Sequence, residues 1–199
     1  MGLAMTTIHL VRHAVHPLVD RVLVGRTGGV QLGKDGREQA EALARRLARH
    51  GIGEVQSSPQ ERALETAALI AAPLGLAVDI VPDLDEADFG QWAGCSFEQL
   101  NLDPRWLAWN SERGTARPPG GETMLELQKR ILGHLDRLKA ERPKGKLVLV
   151  SHAEVIRAAL LHFLGIALDS FARVEIAPAS VSTLLLNGSG AQVIGCNDR

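Results

Sequence analysis

Two arginines, two histidines and one carboxyl group fall where a chain of alternating strands and helices would gather them. Arg12 and His13 close the run TIHLV at 7–11, and Arg62 lies just beyond the strand-like stretch 54–57. Glu86 follows a third apolar run, and Ser151 and His152 follow KLVLV at 146–150. Guanidinium forks hold oxyanions through paired N–H donors and keep their charge. Imidazole can attack or carry a proton, and a carboxyl shielded from water can deliver one near neutral pH. Such a set suits chemistry on a bound anion. Each member alone also has a plainer reading. A histidine beside a strand can be a hydrogen-bonded structural residue, and Arg62 can pair with Glu61 or Glu65 on its own helix. Glu86 can simply solvate the loop DLDEAD, and His152 can cap the helix that follows it.

The elements that must position these groups are read from periodicity and turn chemistry. After the strand at 7–11, residues 34–50 place Ala40, Leu43, Ala44 and Leu47 on one helical face and stop at Gly51. The strand 54–57 leads into SPQE, which offers Ser58 as an N-cap, Pro59 at the first helical position and Glu61 to close a capping box. The helix it starts would turn Ala63, Leu64, Ala67, Ile70 and Ala71 inward and end near Pro73 and Gly75. Residues 77–81 read as a third strand. The stretch 83–120, with Trp92, Trp106 and Trp109, reads as an irregular excursion ending in RPPGGE. Residues 123–141 return to helical spacing, KLVLV reads as a central strand buried on both faces, and a helix over 153–164 follows at once. The tail offers strands at 173–176, 181–186 and 191–194, the last two joined by NGSG, and these look like edge strands. The alternation predicts a three-layer αβα sandwich with a mostly parallel sheet, helices on both faces and an antiparallel edge. In such sheets ligands bind beyond the carboxyl ends of the strands, which is where the five groups lie.

Composition narrows the function classes. With 199 residues, 45% apolar and 23% charged, the chain is expected to form one domain over 1–199 with a small lid or excursion at about 83–120. A net charge of −1 argues against a nucleic-acid partner. Cys95 and Cys196 have neither zinc-site spacing nor disulfide-scaffold spacing, which points to a reducing cytoplasm. The start MGLAMTTIHLVRH lacks the pattern of a signal peptide. The most apolar run, VIRAALLHFLGIAL at 155–168, is interrupted by Arg157 and His162 and too short to cross a bilayer, so a buried helix is expected and no membrane association.

The motifs VRH, SSPQERALETA, EADFGQWAG, PPGGET and VSHAEVIR occur in that order, each at a strand end or loop. Their joint pattern resembles the histidine phosphatase superfamily, phosphoglycerate mutase-like branch, from His9 to about Leu186. The resemblance implies that His13 is phosphorylated, that Arg12, Arg62 and His152 bind the phosphoryl group, and that Glu86 is the proton donor. It implies no cofactor and no metal. Phosphoryl transfer accounts for the residue types: charge spread over three oxygens in a loose transition state needs a fixed cationic array. His13 must attack as a neutral ring, with its other nitrogen donating to a fixed acceptor such as a backbone carbonyl. A protonated His152 would add a third cation, and Glu86 should have a raised pKa.

The chain departs from the family pattern where Ala14, Val15 and His16 stand in place of Gly, Glu and a small hydroxyl residue, and where Val19, beside Asp20, replaces a polar residue. The loop 20–30, DRVLVGRTGGV, is expected over the pocket, and its Gly25 and Arg26 are candidate substrate contacts. His16 is expected at the surface, and the tryptophans are expected to pack the excursion onto the core. The expected activity is that of a phosphomonoesterase on a small phosphorylated metabolite. The alternatives are a phosphoglycerate mutase-like transferase, holding a second anion through Arg105, Arg113 or Arg117, an alpha-ribazole phosphatase-like enzyme, and a non-catalytic phospho-ligand binder. A homodimer is compatible with all of them.

Overall fold

In the computed structural model residues 5–188 and 190–199 are described. The strands are β1 (Thr6–Arg12), β2 (Glu54–Ser57), β3 (Val78–Ile80), β4 (Lys146–Ser151), β5 (Val181–Asn187) and β6 (Gly190–Asp198). The helices are α1 (Lys34–Leu47), α2 (Glu61–Ala71), α3 (Phe97–Leu100), α4 (Pro104–Ser111), α5 (Met124–Glu141) and α6 (Ala153–Phe163). The strands form one sheet in the order β3-β2-β4-β1-β5-β6. The first three pairings are parallel, and β5 and β6 add an antiparallel edge. The architecture is the expected three-layer α/β sandwich.

Alternation along the central strands divides the core between two faces. Leu147 and Leu149 of β4, with Ile8 and Leu10 of β1, pack against α5, α6 and the tryptophans of the excursion. Val148 and Val150, with Val11, meet Leu43 and Leu47 of α1 and Ala67 and Ile70 of α2. Each of the Val, Leu and Ile side chains among them, fully buried, contributes roughly 1.5–3 kcal/mol. The inward faces of α1 and α5 are those their spacing predicts, and the apolar run at 155–168 is largely the buried helix α6. Among the described residues no helix is long and apolar enough to cross a membrane. Both cysteines are free thiols.

Several local expectations are corrected. Helix α2 starts at Glu61, with Gln60 at the N-cap and no capping box. The Ser58 hydroxyl is engaged by His152, and the Glu61 carboxylate accepts the Gly29 amide instead. Leu64 is only half-buried, because Arg62 and Thr66 share the inward face. The excursion is more regular than expected. Ser96 caps α3 in a capping box with Gln99, and Asp103 caps α4 ahead of Pro104. Trp92, Trp106 and Trp109 are buried there in mutual ring contact. Residues 173–176 are not a strand: a 3-10 segment, Leu168–Arg173, leads into extended chain that joins no ladder. Strand β5 lies inside the sheet rather than at its edge. The NGSG turn includes Ser189, which lies outside the described residues.

Two glycines let loops close on the functional end of the sheet. A Cβ on Gly36, in the first turn of α1, would run into the carbonyl oxygen of Val15, two residues after His13. Gly90 has φ +52°, and a Cβ there would strike the Pro119 carbonyl, so the loop after Glu86 and the PPGG turn interlock through their backbones. Gly36→Ala is therefore expected to destabilise the fold by about 1–3 kcal/mol through overpacking. Urea denaturation reads this as a lower midpoint, and an unchanged midpoint would show that the Val15 loop yields freely.

Candidate active site

Strand register assembles the site. Arg12 pairs with Ser151 across the parallel β1–β4 ladder. Beyond it the His13 amide donates to the Ser151 carbonyl at 2.9 Å, and the Ser58 amide donates to the Val150 carbonyl at 2.9 Å. The residues following three adjacent strands thus stand abreast. Above them lies a cleft of about 140 Å³ whose lining includes Arg12, His13, Arg62 and Glu86. It is smaller than the roughly 300–1,000 Å³ typical of sites for drug-sized ligands and suits a compact ester.

His13 is 3% exposed, and its Nδ1 lies 2.9 Å from the Ala14 carbonyl oxygen. That acceptor requires the ring proton on Nδ1, leaving Nε2 without a hydrogen bond among the described residues. Burial, then Arg62 and Arg12, hold the ring well below the usual histidine pKa, so it is neutral. The loop is pinned by α2: the Ala14 amide donates to Thr66 Oγ1 at 3.1 Å, and the Thr66 hydroxyl donates to the Arg62 carbonyl at 2.7 Å.

Arg12 Nη1 donates to the Ile176 carbonyl at 2.7 Å, and Arg62 Nη2 donates to the Gly25 carbonyl at 2.6 Å. Arg12 Nε and Arg62 Nε and Nη1 are buried without a hydrogen-bond partner. A buried donor left unpaired costs roughly 1–3 kcal/mol, more on a charged group, so these nitrogens mark a place suited to an oxyanion. Burial lowers both guanidinium pKa values while Glu86 opposes that trend, and both groups remain cations. The neighbours by which Arg62 could have been a simple ion pair are engaged elsewhere, Glu65 with Arg37 and Glu61 with the Gly29 amide.

His152 is fully buried behind the cleft wall, its ring 5.1 Å from that of His13. Its Nδ1 lies 3.2 Å from Arg62 Nη2, and its Nε2 lies 2.7 Å from Ser58 Oγ. Arginine only donates, so Nδ1 accepts and Nε2–H donates to Ser58. The third cation that a protonated ring would supply is disfavoured here: burial, then His13 and Arg62, hold the ring neutral. A third cation in the same dry space would raise the local potential further.

The Glu86 side chain is 12% exposed, with Oε1 accepting the Ala87 amide at 2.8 Å and Oε2 3.9 Å from His152 Nδ1. Burial, reinforced by Glu154, raises its pKa to about 7 against the pull of the Ala87 amide, Arg62 and Arg12. Its backbone is held as firmly. The Glu86 carbonyl accepts from Arg26 Nε at 2.7 Å, and Arg130 Nη1 donates to the Asp83 and Asp85 carbonyls. Glu122 of the PPGGET turn takes Arg26 and Arg130 on one oxygen, each at 2.8 Å.

Of the two loop candidates, Gly25 lines the cleft, whereas Arg26 sits behind the acid loop among Asp85, Asp88 and Glu122. His16, expected at the surface, is 6% exposed and lines the cleft, its pKa lowered to about 4 by burial and then by Arg62 and Arg12. Arg105, Arg113 and Arg117 lie outside the cleft lining, tied to Asp103, Glu154 and Glu126. Sequence reasoning missed Thr66, Glu122, Arg130 and Glu154. Thr66 and Glu154 stand inside motifs already singled out, at one helical turn from Arg62 and two residues from His152, whereas nothing local marks Arg130.

The histidine phosphatase superfamily (branch 1) profile matches residues 8–199. A bifunctional protein of Mycobacterium tuberculosis is 33% identical over 195 residues, covering 95% of this chain and 52% of that protein. The chain thus spans about half the length of that relative. Phosphoserine phosphatase 1 of Hydrogenobacter thermophilus is 30% identical over 172 residues, 84% of this chain and 80% of that one. The crystal structure of the alpha-ribazole phosphatase from Shigella flexneri superposes with a TM-score of 0.85 at 26% identity, covering 96% of each chain. The match over nearly the whole length, on a sheet whose strand ends carry the five grouped side chains, makes this chain a member of branch 1 of the histidine phosphatase superfamily.

Proposed function

We propose that the chain is a phosphomonoesterase that hydrolyses a small phosphorylated metabolite through a phosphohistidine on His13. The observation that carries this reading is the His13 ring, anchored through Nδ1 on the Ala14 carbonyl with Nε2 free of hydrogen bonds among the described residues. It lies in a cleft lined also by Arg12 and Arg62, whose buried nitrogens include unpaired donors. In the first half-reaction Nε2 attacks phosphorus and the P–O bond to the alcohol breaks, while Arg12 and Arg62 hold the equatorial oxygens. The leaving oxygen takes its proton from Glu86. In the second half Glu86 accepts a proton from water, the water oxygen bonds to phosphorus, and the P–N bond breaks to release inorganic phosphate. His152 positions the Arg62 fork and links it to Ser58. The guanidinium pair supplies the charge stabilisation that a metal ion would otherwise give, so a metal-independent reaction is part of the proposal.

Transfer to a second hydroxyl, as in a mutase, would use the same residues. That reading needs a site for a second anion, and the three arginines considered for it lie outside the cleft lining, each engaged by a carboxylate. A cytoplasmic setting is part of the proposal, and the two free thiols are compatible with it.

His13→Ala is expected to abolish both turnover and acid-labile phosphoenzyme formed on brief mixing with substrate. Phosphoenzyme persisting in that variant would sink the assignment. With Glu86 required as the acid, kcat/KM on alkyl phosphates should be full below pH about 7 and fall about tenfold per pH unit above it. Glu86→Gln should remove that alkaline limb and reduce alkyl phosphate turnover far more than aryl phosphate turnover; equal losses on both would exclude the acid role. Turnover should also survive dialysis against a chelator, and loss restored by a divalent metal would overturn the metal-independent mechanism.

A further inference from the structure

Glu154 is the second residue of α6, two positions after His152, and its side chain lines the same cleft as His13, Arg12 and Glu86. Two cations outside the lining fix it. Its Oε2 accepts from Arg113 Nη1 at 2.7 Å and its Oε1 accepts from Arg157 Nη1 at 2.6 Å. Arg113 lies between the rings of Trp109 and Phe171, 4.1 and 3.4 Å from their centroids, and bonds Asn110. Arg157 Nε donates to the Val174 carbonyl. Burial favours the neutral acid, but Arg113 and Arg157 outweigh it and bring Glu154 down to about 2. The carboxylate is therefore ionised, and its guanidinium partners lie behind it, held by aromatic rings and other acceptors.

A purely structural ion pair would account for the two arginines, yet it leaves unexplained why the carboxylate forms part of the cleft wall. The rest of that wall gives the reason. Beyond Arg12, Arg62, His13 and Glu86 it includes the apolar side chains of Val19, Val22, Leu23, Phe89 and Phe97, the His16 ring, and an exposed Asp20. Among the described residues lining the cleft, every cationic side chain belongs to the phosphoryl cradle. Apart from Glu86, the part left for the alcohol half of an ester is mostly apolar, with the neutral His16 ring beside His13. Its charged groups are the carboxylates of Asp20 and of Glu154, the latter paired with arginines outside the lining. Like charges brought together in a poorly hydrated space disfavour the wrong partner more strongly than they attract the right one.

We propose that Glu154 selects the alcohol half of the substrate, admitting phosphate esters of neutral or ammonium-bearing, partly apolar alcohols and disfavouring esters that carry a second acid group. The proposal rests on the phosphomonoesterase reading and sharpens it to a substrate class. It sets the discriminating charge in the first turn of α6, while the phosphoryl group is held from β1 and α2.

The test compares three esters of similar size on the intact chain: propyl phosphate, aminoethyl phosphate and phosphoglycolate. The kcat/KM for phosphoglycolate should lie at least about tenfold below that for propyl phosphate, with aminoethyl phosphate equal to or above propyl phosphate. Glu154→Gln, which keeps the side-chain shape, should close most of that gap. Ratios between esters cancel any common effect of Glu154 on the acidity of Glu86. Equal turnover of all three by the unaltered protein, or a gap that persists in Glu154→Gln, overturns the proposal. Should Glu154→Gln not fold, Arg157→Gln provides the second variant: removing one balancing cation should widen the gap, and a narrowed or unchanged gap overturns the proposal. Absence of both hydrolysis and His13 labelling with every ester would instead overturn the phosphomonoesterase reading, and this one with it.

Discussion

Two guanidinium groups buried within reach of one imidazole set the terms for the rest of the molecule. Taking an ion out of water costs several kcal/mol even after relaxation, and Arg12 and Arg62 keep buried nitrogens that no protein group satisfies. The fold bears that cost by anchoring one end of each fork to a backbone carbonyl, Ile176 for Arg12 and Gly25 for Arg62. The same burial that makes these cations expensive, with the charges of the arginines added to it, keeps His13 and His152 neutral. The ring proposed as nucleophile is thereby held in the unprotonated form that its role requires.

The acid is tuned by the opposite means. Glu86 lies in the same cleft, where burial and the nearby Glu154 carboxylate favour its protonated form. Two carboxyl groups in one pocket are driven apart in acidity, Glu86 to about 7 and Glu154 to about 2, because only the latter has two arginines bonded to it. Divergence of this kind separates a proton donor from a fixed charge without any difference in residue type.

The sequence revealed the sheet and the five grouped side chains because their signals are local: apolar runs, turn residues and polar residues placed at strand ends. It failed where a tertiary partner displaced a local preference. Ser58 has the neighbours of a helix cap, but its hydroxyl is taken by His152, 94 positions away. His16, expected at the surface, is folded inward by its loop to 5.4 Å from the His13 ring. Arg26 has the reach to touch a ligand, but three acidic residues from distant segments hold it behind the acid loop. Arg130 is indistinguishable in sequence from the solvated arginines of an amphipathic helix, and only the packing of α5 beside residues 82–86 gives it a role.

The Thr66 hydroxyl, shared between the Ala14 amide and the Arg62 carbonyl, makes the nucleophile loop and the start of α2 a single mechanical unit. Any rocking of that helix carries the His13 ring and the Arg62 guanidinium together. The spacing between them is thereby set by α2 and the chain after β1 rather than by the more distant segments that complete the cleft lining.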